Sequence, residues 1–168
     1  IYGINTGFGI LANKKINNDQ LEDLQKRLVL SHAAGVGKFL DNKTTKLVLL
    51  LKINSLAQGY SGVSVNLMDT LLGFYNHNVY PLIPIKGSVG ASGDLAPLAH
   101  LSTALMGIGN VRFEGNIFPA KDILKKKSIV PIVLKAKEGL ALLNGTQVST
   151  AISIIGLIKV ERNFSIAV

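Results

Sequence analysis

The 168-residue sequence contains no cysteine and no tryptophan. Without cysteine there is no disulfide frame and no thiolate metal site, and that usage fits a cytoplasmic protein. Aromatic residues make up only 6% of the chain, and the basic clusters Lys14-Lys15 and Lys125-Lys126-Lys127 are not interleaved with them. A nucleic-acid groove sets stacking rings beside its cations. The net charge of +8 therefore reads as a solvated basic surface, and no nucleic-acid partner is expected. Long apolar runs are also missing. The longest block, Ala151 to Ile158, is broken by Ser153 and Gly156 and bounded by Lys159, too short for a bilayer span. His32, His77 and His100 have no carboxylate partner at ligand spacing, so no metal is expected. An initiator methionine is absent, and no Gly, Asn or Pro stop follows the helical run that closes the sequence. The expectation is one compact internal piece of a longer soluble protein.

What is present is mostly helical patterning. Asp19 and Glu22 have the spacing of a capping box, and Leu21, Leu24, Leu28 and His32 then share a face that ends before Gly35 and Gly37. Asp41 or Thr44 opens a second helix with Leu47, Leu50, Leu51 and Asn54 on one side, closed by Gly59. A third starts near Ser64 and carries Leu67, Leu71 and Phe74 or Tyr75, ending near Asn76 to Asn78. Pro81 and Pro84 impose an extended segment. Asp94 is placed as the N-cap of a fourth helix, with Pro97 tolerated in its first turn. Gly115-Asn116 reads as a two-residue hairpin turn between Val111-Arg112-Phe113 and Ile117-Phe118. Short helices follow at Ala120 to Lys126 and at Glu138 to Leu143, the latter closed by Asn144-Gly145. Thr146 or Ser149 opens the last. The fold class is mainly α with a small β-hairpin.

The densest loop is Gly87-Ser88-Val89-Gly90-Ala91-Ser92-Gly93-Asp94. Ordering so much glycine costs backbone entropy, which points to a need for close backbone approach. A phosphate loop requires a lysine after its last glycine, and none follows Gly93. A nucleophile elbow requires G-x-S-x-G after a strand. Gly90-Ala91-Ser92-Gly93-Asp94 lacks the last glycine, and Asp94 and His100 lie too near in sequence for triad geometry. A tight turn capping a helix remains the plain alternative.

With Leu95-Ala96-Pro97-Leu98-Ala99-His100 behind it, the loop resembles the signature of the aromatic amino acid ammonia-lyase family. Three further stretches extend the resemblance over nearly the whole chain: Tyr2-Gly3-Ile4-Asn5-Thr6-Gly7-Phe8-Gly9, Leu28-Val29-Leu30-Ser31-His32-Ala33-Ala34-Gly35, and Leu142-Leu143-Asn144-Gly145-Thr146-Gln147. It implies a fragment of a helical-bundle lyase fold. Residues 1–90 would be the end of an N-terminal helical part with an active-site loop. Residues 91–168 would hold the prosthetic-group loop, the hairpin and the start of a central helix bundle.

The resemblance also implies chemistry. Ala91-Ser92-Gly93 would cyclise by attack of the Gly93 nitrogen on the Ala91 carbonyl carbon. Loss of two waters, one from the ring and one from Ser92, would leave a 4-methylidene-imidazole-5-one with an electrophilic methylene. Small Ala91, β-carbon-free Gly93 and a leaving hydroxyl on Ser92 suit that step, and the helix behind Asp94 would favour negative charge on the ring. Tyr2 is implied as the base that takes the substrate β-proton, which requires a stabilised phenolate. Asn144 is implied to face substrate, with Gln147 nearby in support, although Asn144-Gly145 also makes a good helix stop. Ser31-His32 resembles the pattern of histidine-specific members and implies L-histidine as substrate, converted to trans-urocanate, because one imidazole can exchange hydrogen bonds with another. A tyrosine- or phenylalanine-specific lyase, an aminomutase, or a non-catalytic helical assembly module stand as alternatives. The family further implies a homotetramer and a carboxylate-binding arginine outside this chain. The chain alone is expected to be inactive, and its tripeptide to stay uncyclised unless the surrounding fold presses it into the reactive turn.

Overall fold

A computed structural model describes residues 4–7, 12–17, 20–90 and 92–168. Tyr2, Ala91 and Asp19 lie outside the described residues. The architecture is mainly helical: α1 (Leu21–His32), α2 (Asn42–Ala57), α3 (Val65–Asn76), α4 (Leu95–Leu105), α5 (Ala120–Lys126), α6 (Glu138–Leu143) and α7 (Gln147–Ala167). Five short strands accompany them: β1 (Val36–Phe39), β2 (Tyr80–Pro81), β3 (Pro84–Lys86), β4 (Asn110–Phe113) and β5 (Asn116–Pro119).

Local chemistry sets several boundaries. The Asp41 carboxylate accepts the Thr44 N–H at 2.7 Å, which starts α2, and hydrogen bonding by Thr44, from its side chain first and its backbone second, holds the carboxyl below the usual carboxylate value. Ser64 caps α3 in the same way through the Leu67 N–H. The cap position of α1 is Gln20, which makes no side-chain cap bond. The hairpin turn is Glu114-Gly115, both at positive φ (49° and 84°), and Phe113 pairs with Asn116. Two positive φ angles match the right-handed strand twist. The turn thus falls one residue earlier than expected, because Asn116 is the first strand residue.

The α2 face also differs from expectation. Thr45, Val48, Leu49, Lys52 and Leu56 are buried, whereas Leu50 and Asn54 are exposed. The run Leu47 to Leu51 is apolar on all sides, so it carries no phase, and three of the buried positions, Thr44, Thr45 and Lys52, are polar. Strand β1 was not expected at all. It pairs antiparallel with β3, and a second sheet has the order β2-β4-β5.

Helix α4 is the centre of the core; Leu98, Ala99, Leu101 and Leu105 are all fully buried. It packs against α1 and α6, which also pack on each other. Gly139 N–H donates to Gln25 Oε1 near the starts of α6 and α1. Asp94 N–H donates to Gly145 O at 2.8 Å, where α4 starts and α6 has ended. The C-terminal ends of α1 and α6 and the N-terminal end of α4 therefore meet at one end of the trio. By length and composition the helical run Glu138–Ala167 would pass for a bilayer span, because an 18-residue window within it has mean hydropathy 1.5. That is longer than the sequence blocks suggest, although the run bends at Asn144-Gly145 and bears Lys159, Glu161 and Arg162.

Candidate active site

Of the expected site residues, Ser92, Gly93 and Asp94 lead into α4, His32 ends α1, and Asn144 follows α6. Gly93 has φ +112°, and a β-carbon there would lie 2.7 Å from Gly145 O and 2.9 Å from Gly145 N. Glycine is thus required twice, for the backbone conformation and for direct docking of the loop on the end of α6. Gly145 is itself at φ +148°, and the space a β-carbon would take is filled by the Gln147 amide. Further back, Gly87 (φ +152°) lies against the Gly35 Cα, so the loop is seated at both ends. Ser92 projects from it, exposed.

Asp94 stands at the first position before α4 but does not cap it. Its backbone (φ −89°, ψ 54°) lacks the extended ψ of the Asp41 and Ser64 caps (169° and 157°), which turns a side chain back onto its own helix. The buried carboxylate crosses to α7 instead. Ser149 donates from its N–H at 2.8 Å and its hydroxyl at 3.0 Å to Oδ2, and the Ser88 hydroxyl donates at 2.8 Å to Oδ1. Asp94 therefore satisfies an open N–H in the first turn of α7, where negative charge is favoured, and ties that helix to the loop.

His32 ends α1. Its Nδ1 is 2.8 Å from Leu28 O, with the Ser31 hydroxyl 3.2 Å away. A carbonyl can only accept, so Nδ1 carries the proton and a neutral ring keeps Nε2 as an acceptor. The next turn of chain is held by His100 from α4, whose Nε2 accepts the Gly35 N–H at 3.0 Å. Burial pushes the His100 imidazole below its ordinary value, in keeping with its acceptor role. His100, read from sequence only as part of a helix motif, thus secures the segment after His32. The neutral folded form binds fewer protons than the unfolded chain at acid pH. That contribution is complete above the unfolded value of about 6.5 and is lost as pH falls below it. Urea midpoints of the protein should drop between neutral pH and pH ~5.5, and drop less in His100→Gln.

Asn144 follows α6 with an extended backbone and an exposed side chain; its N–H donates to Leu140 O. Gln147 stands at the start of α7, and its buried Oε1 has no hydrogen-bond partner among the described residues. Sequence reasoning missed Lys52. It is 1% exposed, and its Nζ donates to Ala141 O at 2.7 Å and Asn144 O at 3.2 Å. Burial pushes its ammonium down to about 7. The one sequence clue is a lysine in register with Thr45, Leu49 and Leu56 on the buried stripe of α2.

The residues present fit a ring built from the tripeptide. Gly93 is pressed in a left-handed turn against backbone, the Ser92 side chain is open, and an unpartnered amide oxygen lies beside the turn. A cavity of about 510 Å³ between α3 and residues 127–135 is lined by residues such as Thr70, His77 and Glu138 and by none of this loop. Ser92 and Asn144 are exposed on the described residues.

Known proteins share both sequence and fold. A histidine ammonia-lyase from Photorhabdus laumondii is 57% identical over 99% of this chain, which covers 32% of that protein. Among solved structures, Pantoea agglomerans phenylalanine aminomutase superposes with TM-score 0.92 at 34% identity, over 99% of this chain and 32% of that one. A histidine ammonia-lyase from Trypanosoma cruzi gives TM-score 0.82 at 40% identity, over 90% and 29%. The chain spans about a third of the length of the curated relatives it matches. The family described as "Aromatic amino acid lyase" matches residues 1–168 without a gap at either end. With the seated glycine loop, the helical fold and that full-length match in agreement, the chain belongs to the aromatic amino acid lyase family.

Proposed function

We propose that the protein carrying this chain is an ammonia-lyase that converts L-histidine to trans-urocanate and ammonia, in histidine catabolism, as a cytoplasmic homotetramer. The reading of substrate rests on His32. Its Nδ1–H is committed to Leu28 O, which leaves Nε2 to accept from the N–H of a substrate imidazole. A leucine or phenylalanine at that position has nothing to offer such a ring.

The prosthetic group, made from Ala91-Ser92-Gly93 without a metal, supplies an electrophilic methylene that draws electrons from the substrate and makes ammonia easier to expel. The chain's own residues do the rest. Tyr2, as phenolate, takes the β-proton. Asn144 binds substrate from the end of α6. Gln147 fills the space beside Gly145, and Asp94 holds the loop to α7. Because Ser92 and Asn144 are exposed, other parts of the protein and neighbouring subunits close the site. The 168-residue chain alone is expected to make no urocanate.

The test is a substrate panel on the full-length protein. Urocanate from L-histidine, seen by its ultraviolet absorbance, is expected, with no comparable turnover of L-tyrosine or L-phenylalanine. In His32→Leu, kcat/KM for L-histidine should fall about 10- to 100-fold, the worth of one hydrogen bond to substrate. Relative turnover of L-phenylalanine should rise. Preference of the unaltered protein for phenylalanine or tyrosine, or formation of a β-amino acid, would favour the lyases of those substrates or an aminomutase.

A further inference from the structure

The least expected group near this site is Lys52. It comes from the middle of α2, is fully buried, and has no ion pair among the described residues. A lone lysine is costly to bury, and an apolar side chain of the same length would fill the space at lower cost. Its contacts give the reason it is there. The six-residue α6 leaves carbonyls open at its C-terminal end, and the chain departs through extended Asn144 and Gly145 at φ +148°. Lys52 Nζ reaches two of those carbonyls, Ala141 O and Asn144 O. Even an uncharged amine carries two N–H donors, enough for both. One residue further, Gly145 O accepts the Asp94 N–H and lies against Gly93. Lys52 and the glycine loop thus hold the same segment, residues 141–145.

We propose that Lys52 is a positioning residue for this site: by holding the Ala141 and Asn144 carbonyls it fixes where Asn144 presents its amide and where Gly145 receives Gly93. The assignment rests on the reading of Asn144 as a substrate-facing group. Lys52 touches neither substrate nor the reacting atoms. Its effect is transmitted through the backbone of residues 141–145.

The experiment uses the full-length protein and L-histidine, with Lys52→Met, Lys52→Arg, Asn144→Ala and the Lys52→Met/Asn144→Ala double variant. Lys43→Met, on the exposed start of the same helix, serves as control. In Lys52→Met that is folded and carries the ring, kcat/KM should fall about 30-fold or more, mostly in kcat. Lys52→Arg, which keeps donors, should recover part of it. The double variant should lose little more than the worse single variant, because one group acts through the other. Lys43→Met should match the unaltered protein. If Lys52→Met does not fold, the same cycle is read from Lys52→Arg with Asn144→Ala. Loss of kcat/KM below about threefold, or losses that multiply in the double variant, would overturn the assignment while leaving the function intact. Absence of urocanate from the unaltered protein would overturn the function, and the Lys52 assignment with it.

Discussion

Replacing Ser92 with alanine should lower kcat of the full-length protein on L-histidine by about a thousandfold or more, a barrier rise of at least ~4 kcal/mol. In the proposed function Ser92 is not a nucleophile, and no histidine hydrogen-bonds to it among the described residues. Its proposed task is to supply the hydroxyl that leaves as water for the methylene to form, and alanine has none to lose. The same change should leave the fold alone. Ser92 is exposed and makes no hydrogen bond among the described residues, so stability should move by no more than ~0.5 kcal/mol. The combination of dead and folded separates a lyase from a helical assembly module, for which Ser92→Ala would be silent in every assay.

Gly93→Ala should fail differently, in folding of the loop as well as in chemistry. The added β-carbon would lie 2.7 Å from Gly145 O and 2.9 Å from Gly145 N. That neighbour is backbone and cannot swing aside. Its oxygen holds the Asp94 N–H, and the Gln147 amide closes its other side. The alanine would also be held at φ +112°, a conformation costing roughly 1–3 kcal/mol. Together with displacement of the loop, a loss of about 2–4 kcal/mol in a urea titration is expected, with no ring formed. Gly90→Ala is the matched comparison. At φ +66° with nothing within 4 Å of its added β-carbon, it should cost only about 1 kcal/mol and keep most activity.

How much of this was legible beforehand follows the range of the interactions. Asp41 and Ser64 cap helices within three residues, and their identity announced it. The glycines of the 87–94 loop announced close backbone approach, but not that Gly145 is what Gly93 approaches. Asp94 occupies its expected position, yet its carboxylate serves Ser149, 55 residues away. Lys52 meets α6 at separations of 89 and 92 residues, and His100 meets Gly35 at 65. No local pattern reports such pairings. The buried side of α2 was hidden for a different reason: five consecutive apolar residues give no periodicity, and Thr45 and Lys52, polar by type, lie inside. On α7, Val148 and Ala151 are buried while Ile152 and Ile158 are half exposed, a split that a nearly continuous apolar run does not announce. Of the three groups expected around the ring, His32 ends α1 and Asn144 follows α6, the two helices that pack against α4, while Tyr2 falls outside the described residues.

The central claim is that Ala91-Ser92-Gly93 exists in the working protein as a ring and not as three ordinary residues. Proteolysis of the full-length protein followed by mass measurement of the peptide spanning Gly87 to Leu98 reads this directly. The account predicts a peptide two waters lighter than its sequence, restored to the full sequence mass in Gly93→Ala. A peptide at the full sequence mass from a preparation that turns over L-histidine would contradict it.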